Sequence, residues 1–367
     1  MSNSIEILEK ELCAYFGRRY CFLTGRGAAA IYLALKALPI KTGKVVMPAI
    51  VCPSPPNAVL YAGFEPIFCD ISLEDFNMEI SSLKTILSHY DDVVAVMPVH
   101  LYGYPADMDA ILELAKERGL YVIEDAAQAM GGMYKGRNLG SMGDLSVVSF
   151  GHTKILDAGW GGALLTDDPN LAERIGEELP NLPPCPKNID AMYEEYRQVY
   201  YTIKPLTEIN DSLNDLFTRI PFIYRQMYLF RLENWQADRI RKGMIDLEKS
   251  IQARKKNALE YRGRLRHPDI FHPPFSETCV PWRYSILLRK NVQKKITDSL
   301  RSEGIDASNW YPPLYQWYDS GKKQEQSLFK NADYLGSHIV NLWVEPSISS
   351  GYIDEACATL LHALGGG

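Results

Sequence analysis

The sequence lacks the features that mark secreted, membrane-spanning and nucleic-acid-binding chains. No apolar run reaches the ~20 residues that a transmembrane helix needs. The first twelve residues, MSNSIEILEKEL, do not place a basic segment before an apolar one, so we expect no secretory signal. There is no basic block, and 39 basic against 45 acidic residues give a formal net charge of −6. We therefore expect neither nucleic acid nor an anionic membrane as a partner.

Cysteine usage excludes several further classes. The seven cysteines are odd in number and scattered, without a CxxC pair. This pattern argues against a disulfide framework, a zinc site and an iron–sulfur cluster. It predicts a protein without a bound metal that resides in the reducing cytosol.

The composition that remains is that of a globular α/β protein. Of 367 residues, 46% are hydrophobic and 23% are charged, and the length predicts a large and a small domain. Apolar β-rich runs alternate with helical patterns, which predicts a largely parallel sheet with helices on both faces. The predicted strands are Tyr20–Thr24, Lys44–Pro48, Pro66–Asp70, Val93–Pro98, Leu120–Asp125, Leu145–Phe150 and Gly162–Thr166. The predicted helices lie at 3–17, 28–38, 55–62, 80–88 and 107–118.

The second half of the chain has a different pattern. Residues 170–250 keep a helical periodicity, broken by prolines, and predict a helical segment that links two lobes. The rest predicts a small α+β lobe, in which an aromatic loop follows the first helix. Its predicted elements are strand Tyr284–Leu288, helix Val292–Glu303, strand Ile339–Trp343 and a helix at 352–363. We expect a large domain at 1–250, with an unusual helical segment at about 170–230, and a small domain at 251–367.

A glycine-rich turn, TGRGAAA at 24–30, joins the first strand to a helix. Glycine lets a ligand approach the backbone, and a helix N-terminus presents free N–H groups that suit phosphate. The alternative is an ordinary strand–helix turn. The spacing matches neither the dinucleotide fingerprint nor the P-loop.

Three polar side chains follow strands at the edge where ligands bind in open α/β sheets. Asp125 ends a strand in IEDAAQ, and its carboxylate suits a cationic ring nitrogen, although capping the next helix is the alternative. Lys154, in SFGHTK, lies in a polar loop where burial would lower its pKa and make it a nucleophile; an ordinary solvated lysine is the alternative. His100, in VHLYG, either shapes the pocket or has a structural role.

The order of these motifs resembles the DegT/StrS-type sugar aminotransferases. The resemblance runs from about residue 5 to 360 and includes AVLYAGFEPIFCDI (58–71), YPADMDAI (104–111), YKGRNLGSMGD (134–144) and SEGIDASNWYPPL (302–314). It implies the aspartate aminotransferase-like fold type I, with a seven-stranded sheet in the large domain. It also implies pyridoxal 5'-phosphate (PLP) as cofactor, and a homodimer with shared active sites.

The resemblance also implies roles for individual residues. Lys154 aligns with the lysine that holds PLP as a Schiff base and shuttles the proton. Asp125 aligns with the acid that keeps the pyridine nitrogen protonated. Gln128 aligns with a residue near the ring, and Ser149 with a phosphate ligand. Gly27 and Ala28 align with the phosphate turn.

Several positions depart from the family pattern. The usual Ser-Gly-Thr of the phosphate turn is replaced here by Arg26-Gly27-Ala28. A hydroxyl ligand of the phosphate is therefore lost, and the forked donors of Arg26 are expected to compensate. Cys52 occupies the place of a stacking aromatic. Arg231 follows Leu229 and Phe230 where Asn-Tyr-Arg is usual, which puts a cross-subunit contact in doubt.

Four residues are predicted on this basis to contact the substrate. They are His100, Arg231, Tyr311 and Tyr315, the last in place of a usual histidine. The extended segment 168–229 is expected to form a lid or additional dimer surface.

The predicted reaction is transfer of an amino group from glutamate or glutamine to a keto group, on a nucleotide-linked keto-deoxysugar. One alternative is a PLP enzyme with a non-sugar acceptor such as a cyclitol. Another is a non-catalytic PLP-binding regulatory protein, against which the joint presence of Lys154, Asp125, Gln128 and Ser149 argues.

Overall fold

The computed structural model describes residues 4–207, 213–318 and 324–365. None of the helices in these ranges is long and apolar enough to cross a membrane. The strands described are β1 (Tyr20–Thr24), β2 (Lys44–Pro48), β3 (Glu65–Cys69), β4 (Val93–Val96), β5 (Tyr121–Asp125), β6 (Met133–Tyr134), β7 (Arg137–Asn138), β8 (Leu145–Ser149), β9 (Gly162–Thr166), β10 (Ile270–Phe271), β11 (Tyr284–Leu288), β12 (Ala307–Ser308) and β13 (Ile339–Leu342).

The helices of the described ranges flank these strands and fill the segment between the two lobes. They are α1 (Ser4–Phe16), α2 (Gly27–Ala37), α3 (Ser54–Ala62), α4 (Ile80–His89), α5 (Met108–Arg118), α6 (Pro169–Glu178), α7 (Ile189–Thr207), α8 (Asn214–Ile223), α9 (Arg225–Tyr228), α10 (Asn234–Ile245), α11 (Leu247–Arg264), α12 (Gln293–Ser302), α13 (Lys330–His338) and α14 (Ser350–Gly365).

The seven strands predicted in the first half of the chain form one sheet, in the order β1-β9-β8-β5-β4-β2-β3. The pairs β2–β3, β2–β4, β4–β5 and β5–β8 are parallel, whereas β9 runs antiparallel to both β1 and β8. The prediction of a mostly parallel sheet is therefore confirmed. The carboxyl ends of β1, β5 and β8 consequently meet the start of β9 at one edge of the sheet.

Helix α2 connects this edge to the core. Eight of its 11 residues are buried, five of them alanines, and the helix packs against α3, α6, β8 and β9. Small side chains let the helix lie close to the sheet, so its N-terminus reaches the ends of β1 and β8. Burial of apolar side chains stabilises this contact.

A second apolar core lies in the C-terminal part of the chain. The sheet β10-β11-β13-β12 is antiparallel and packs against α11, α12 and α14. Helix α11 spans the predicted boundary at 250/251. Its Ile251 joins a core of the large sheet, whereas its Ala258 and Tyr261 join the C-terminal core. The boundary itself stays a prediction.

The predicted aromatic loop of the C-terminal part differs from the sequence-based expectation. The aromatic loop predicted between residues 303 and 339 contains helix α13, whose Ala332 and Leu335 are buried. Residues 319–323 of that loop lie outside the described ranges. The segment 170–250 is helical, as predicted, and its residues 208–212 also lie outside.

We expect Gly25→Ala to destabilise the fold by about 1–3 kcal/mol because the site has no room for a methyl group. A Cβ at Gly25 would lie 2.2 Å from the ring of Phe230. Urea unfolding followed by circular dichroism measures the change. Gly176→Ala is the matched control, since a Cβ there meets no heavy atom within 4 Å and alanine favours α6. Equal stability of the two variants would contradict this account.

Candidate active site

A cavity of about 190 Å³ lies at the edge of the sheet where β5 and β8 end and α2 begins. It brings together the eight residues predicted to bind the cofactor, and Tyr311, which was predicted to contact the substrate. Those residues are Arg26, Gly27, Ala28, Cys52, Asp125, Gln128, Ser149 and Lys154. Because they come from separate strands, loops and helices, the sheet topology rather than sequence proximity assembles the site.

Lys154 lies in a loop held in a strained conformation. The preceding Thr153 has φ of 67°, a left-handed conformation that β-branched residues rarely adopt. Asp157 stabilises this loop, since its carboxylate accepts hydrogen bonds of 2.8 Å from the N–H groups of Thr153 and Gly159. The indole N–H of Trp282 donates to the Thr153 carbonyl over 2.6 Å. These contacts fix the backbone from which Lys154 projects.

The surroundings of Lys154 favour its neutral amine. Burial lowers the pKa of Lys154, and Cys52 and Asp125 partly oppose that shift. A neutral amine is the form that attacks a carbonyl carbon and accepts a proton. Lys154 therefore has the environment of a nucleophile rather than of a solvated surface lysine.

Asp125 ends β5 and is 4% exposed. Burial raises the pKa of Asp125, while the N–H of Ala127, at 2.9 Å from Oδ1, and the charge of Lys154 lower it. A buried carboxylate is stabilised by a cationic partner. The arrangement suits a protonated ring nitrogen, as the sequence predicts.

The neighbouring Glu124 is fully buried and hydrogen-bonds several segments that surround the site. Its carboxylate accepts from His100 Nε2 at 2.9 Å, from the N–H groups of Gly140 and Met142 at 2.6 and 2.7 Å, and from the hydroxyl of Ser146 at 3.0 Å. Burial alone would raise its pKa, but the hydrogen bond from His100 and the backbone donors lower it to about 2.

His100 supports this carboxylate and does not line the cavity. Its Nδ1 accepts from the N–H of Ala106 at 3.1 Å, so the proton resides on Nε2, which donates to Glu124. The residue is 0% exposed. Of the two interpretations left open by the sequence, the geometry favours the structural one.

Gln128 and Tyr311 form one wall of the cavity. The Gln128 carbonyl accepts from the N–H of Tyr102 at 2.9 Å, and its amide N–H donates to the Tyr311 hydroxyl at 3.1 Å. The Tyr311 ring is nearly parallel to those of Tyr102 and Trp282, with centroids 6.1 and 6.2 Å away. These contacts hold Gln128 in a fixed orientation beside Asp125.

The phosphate-type turn also borders the cavity, through Arg26, Gly27 and Ala28. The first N–H groups of α2 have no partner within the helix. Close packing accounts for the glycine, because a Cβ at Gly27 would lie 3.1 Å from the Cβ of Ser149. Ser149, at the end of β8, borders the same space.

Besides His100, two predicted substrate residues are not brought to this cavity. Arg231 is exposed and lines a separate surface cavity with Glu9 and Pro184. The hydroxyl of Tyr315 donates to the carboxylate of Asp333 over 2.8 Å, and its ring stacks on another aromatic ring 4.0 Å away.

Sequence reasoning missed three aromatic or basic residues that line the cavity: His152, Tyr193 and Trp282. His152 lies two residues before Lys154, and its ring stacks on that of Tyr193 at 4.6 Å. Tyr193 belongs to α7, in a segment whose only sequence signal was its richness in tyrosine. No local pattern marks Trp282 as a site residue.

A larger cavity of about 800 Å³ shares Thr153, Trp282 and Tyr311 with the first. Its wall combines aromatic faces with cationic groups. Lys204 of α7 lies 3.9 Å from the ring centroid of Trp310. Its other cationic residues are Arg283, Lys294 and Arg301, with Asp298 as an acidic one. The cavity therefore suits an anionic ligand with a planar ring.

The fold and the site together define a class of protein. A sequence model of the DegT/DnrJ/EryC1/StrS aminotransferase family matches residues 1–361, so the chain belongs to this family. Enzymes of this family are PLP-dependent, in agreement with the cofactor predicted from the sequence. The predicted family resemblance is thus confirmed.

Individual relatives are similar to the chain over different lengths. GDP-perosamine synthase of Escherichia coli O157:H7 is 39% identical over 173 residues, 47% of each chain. The chain spans about half the length of the first curated relatives that it matches. UDP-N-acetyl-3-dehydro-alpha-D-glucosamine 3-aminotransferase of Acidithiobacillus ferrooxidans is 27% identical over 371 residues, covering 100% of this chain and 90% of that one.

A solved structure confirms the fold class. Helicobacter pylori PseC, an aminotransferase involved in the biosynthesis of pseudoaminic acid, superposes with a TM-score of 0.81. The match covers 100% of this chain and 92% of that chain at 19% sequence identity. The predicted fold type I architecture is therefore confirmed.

We expect Glu124→Gln to reduce the stability of the fold most strongly near neutral pH. The pKa of Glu124 falls from 4.5 to about 2 on folding, so its stabilisation is complete above pH 4.5 and is lost as pH falls through about 2. That shift corresponds to about 3 kcal/mol at neutral pH. Chemical unfolding at pH 7, 4.5 and 3 measures the difference from the natural chain. A difference that does not shrink toward low pH would contradict this role.

Proposed function

We propose that the chain is a PLP-dependent aminotransferase that moves an amino group from glutamate or glutamine to a keto group of a nucleotide-linked keto-deoxysugar. The observation that carries the proposal is the convergence of Lys154, Asp125 and the N-terminus of α2 on one cavity. Family membership supports the reaction class. The names of the relatives, GDP-perosamine synthase and a UDP-linked 3-aminotransferase, support a nucleotide-linked acceptor.

The residues of the cavity fit PLP. The N–H groups at the start of α2 and the Ser149 hydroxyl offer donors to a phosphate, and Arg26 has a buried Nε and Nη2 without a hydrogen-bond partner. Asp125 offers a carboxylate for the ring nitrogen, and Gln128 borders the same cavity. Cys52 borders the cavity where relatives often place a stacking ring.

When bound, PLP supplies a conjugated ring that delocalises the electron pair left on a substrate carbon after its proton is removed. The carboxylate of Asp125 would hold a proton on the ring nitrogen. The Nζ of Lys154 would hold the cofactor in the resting enzyme and, once displaced by the substrate amine, would carry the proton between the substrate carbon and the cofactor carbon. Burial lowers the pKa of Lys154, a shift toward the neutral form that can accept a proton.

The acceptor needs more space than the cofactor cavity provides. The larger cavity opens from the same wall at Tyr311 and Trp282 and combines cationic side chains with tryptophan faces. A nucleoside diphosphate has a planar base and a double negative charge or more, so it matches this surface. The sugar carbonyl would then point toward Lys154.

Two further expectations join this proposal. A homodimer is supported by the exposed apolar side chains of Trp235 and Ile245 on α10, which are 47% and 80% exposed. A cytosolic location is supported by the seven cysteines, each of which has a free thiol.

We expect Lys154→Ala to abolish the visible absorbance of the lysine-bound cofactor and to stop conversion of glutamate to 2-oxoglutarate. Removing the amine removes both the covalent anchor and the proton acceptor. Spectrophotometry of the purified protein and a coupled assay of 2-oxoglutarate measure these effects. Lys135→Ala, at an exposed position, is the control and should behave as the natural chain does. A Lys154→Ala protein that retains both signals would contradict the proposed function.

We expect Lys204→Met to weaken binding of UDP or GDP by about 2- to 10-fold while leaving the glutamate half-reaction unchanged. The substitution removes one charge from the larger cavity but leaves a side chain of similar length. Isothermal titration of the holoenzyme with each nucleotide at low and high salt measures the effect. Lys135→Met is the matched control. An unchanged affinity with an intact half-reaction would reject the larger cavity as the nucleotide site.

A further inference from the structure

Within the described ranges, the guanidinium of Arg26 forms no ion pair with a carboxylate. Its Nε and Nη2 are closed off from solvent and have no hydrogen-bond partner among the described residues. Burial lowers the pKa of Arg26, and the side chains that most oppose this shift are Tyr228, Tyr193, Tyr196 and Cys52, none of which is a carboxylate. A buried cation without a counter-charge destabilises a fold, so this position implies an anion that is supplied from outside the chain.

Aromatic rings enclose the guanidinium on its protein side. Its central carbon lies 4.3 Å from the ring centroid of Trp160, 5.4 Å from that of Tyr193 and 5.5 Å from that of Tyr228. Ring faces stabilise a cation without neutralising it. Arg26 itself borders the cofactor cavity, as does Tyr193.

The chain itself supplies this enclosure from α7 and α9. Tyr193 belongs to α7 and Tyr228 to α9. Trp160 is fixed because its indole N–H donates to Asp190 of α7 over 3.0 Å. The enclosure therefore belongs to one protomer and does not depend on a second copy of the chain.

The place of Arg26 in the backbone indicates which anion it binds. Arg26 immediately precedes α2, where the helix dipole and the N–H groups of the first turn favour negative charge. Ser149 lies next to Gly27, since a Cβ at Gly27 would be 3.4 Å from its hydroxyl oxygen, and both residues border the cavity. Backbone donors, a hydroxyl and a guanidinium together match a phosphate monoester.

We propose that Arg26 binds the phosphate of the cofactor, and that Trp160, Tyr193 and Tyr228 are positioning residues that hold its guanidinium for this purpose. The inference rests on the proposed function, because it assumes PLP in this cavity. It assigns to α7 and α9 a role in cofactor binding from within the same protomer.

The first test compares PLP with pyridoxal, which has the same ring and aldehyde but lacks the phosphate. Cofactor-free full-length chain is titrated with each, and the lysine-bound absorbance gives the dissociation constants. Arg26→Met is expected to weaken PLP about 10- to 100-fold and to leave pyridoxal unchanged. Arg26→Lys keeps the charge and should lose less affinity.

A second measurement separates ligand binding from a structural role. Without cofactor, Arg26→Met should unfold at the same temperature as the natural chain or higher, because it removes an uncompensated buried charge. With PLP, its stabilisation should be smaller than that of the natural chain. A structural arginine would instead lower the unfolding temperature in both states.

The enclosure is tested with Tyr193→Leu, which should weaken PLP about 2- to 5-fold with little effect on pyridoxal. Arg225→Met is the matched control for Arg26→Met. Arg225 also faces a tyrosine, Tyr61 at 5.5 Å, but it is exposed and does not line the cavity.

One result would overturn the inference without touching the proposed function, namely an unchanged ratio of PLP to pyridoxal affinity in Arg26→Met. If the KM for glutamate also rises in that variant, Arg26 would be assigned to a donor carboxylate instead. Failure of the natural chain to form lysine-bound cofactor would instead reject the proposed function.

Discussion

The buried carboxylate of Glu124 is the constraint on which the active-site edge of the sheet depends. It gathers donors from β8, from the loop before β8 and from His100. A buried charge is tolerated only when it is saturated with hydrogen bonds, so these segments are held in one arrangement. Asp125 is the next residue along β5. The hydrogen bonds that Glu124 needs therefore also fix the position of Asp125 relative to Lys154, although Glu124 itself does not line the described cavity.

The sequence predicted the parts of the molecule that depend on local pattern and on motif order. Apolar runs located the seven strands of the main sheet. The series of motifs placed Asp125, Gln128, Ser149 and Lys154 in one site, and the structure brings all four to one cavity. Their positions follow from strand ends, and strand ends are visible in a sequence as the change from apolar to polar residues.

Contacts between distant segments could not be predicted in this way. The enclosure of Arg26 joins residues 26, 160, 193 and 228, and no local periodicity relates them. Helix α13 was missed because its short sequence lies within a polar and aromatic stretch. His100 shows the intermediate case: its location at a strand end was clear, but its bond to Glu124 depends on the packing of β4 against β5.

The large lobe and the C-terminal lobe meet at the site through aromatic side chains. Trp282 lies between the two cavities, Trp310 and Trp343 line the larger one, and Trp160 lies against Arg26. These are four of the six tryptophans in the chain. The intrinsic ultraviolet emission of the molecule therefore originates mainly beside the two cavities. Energy transfer to a bound chromophore would make that emission a direct optical record of occupancy, without any added label.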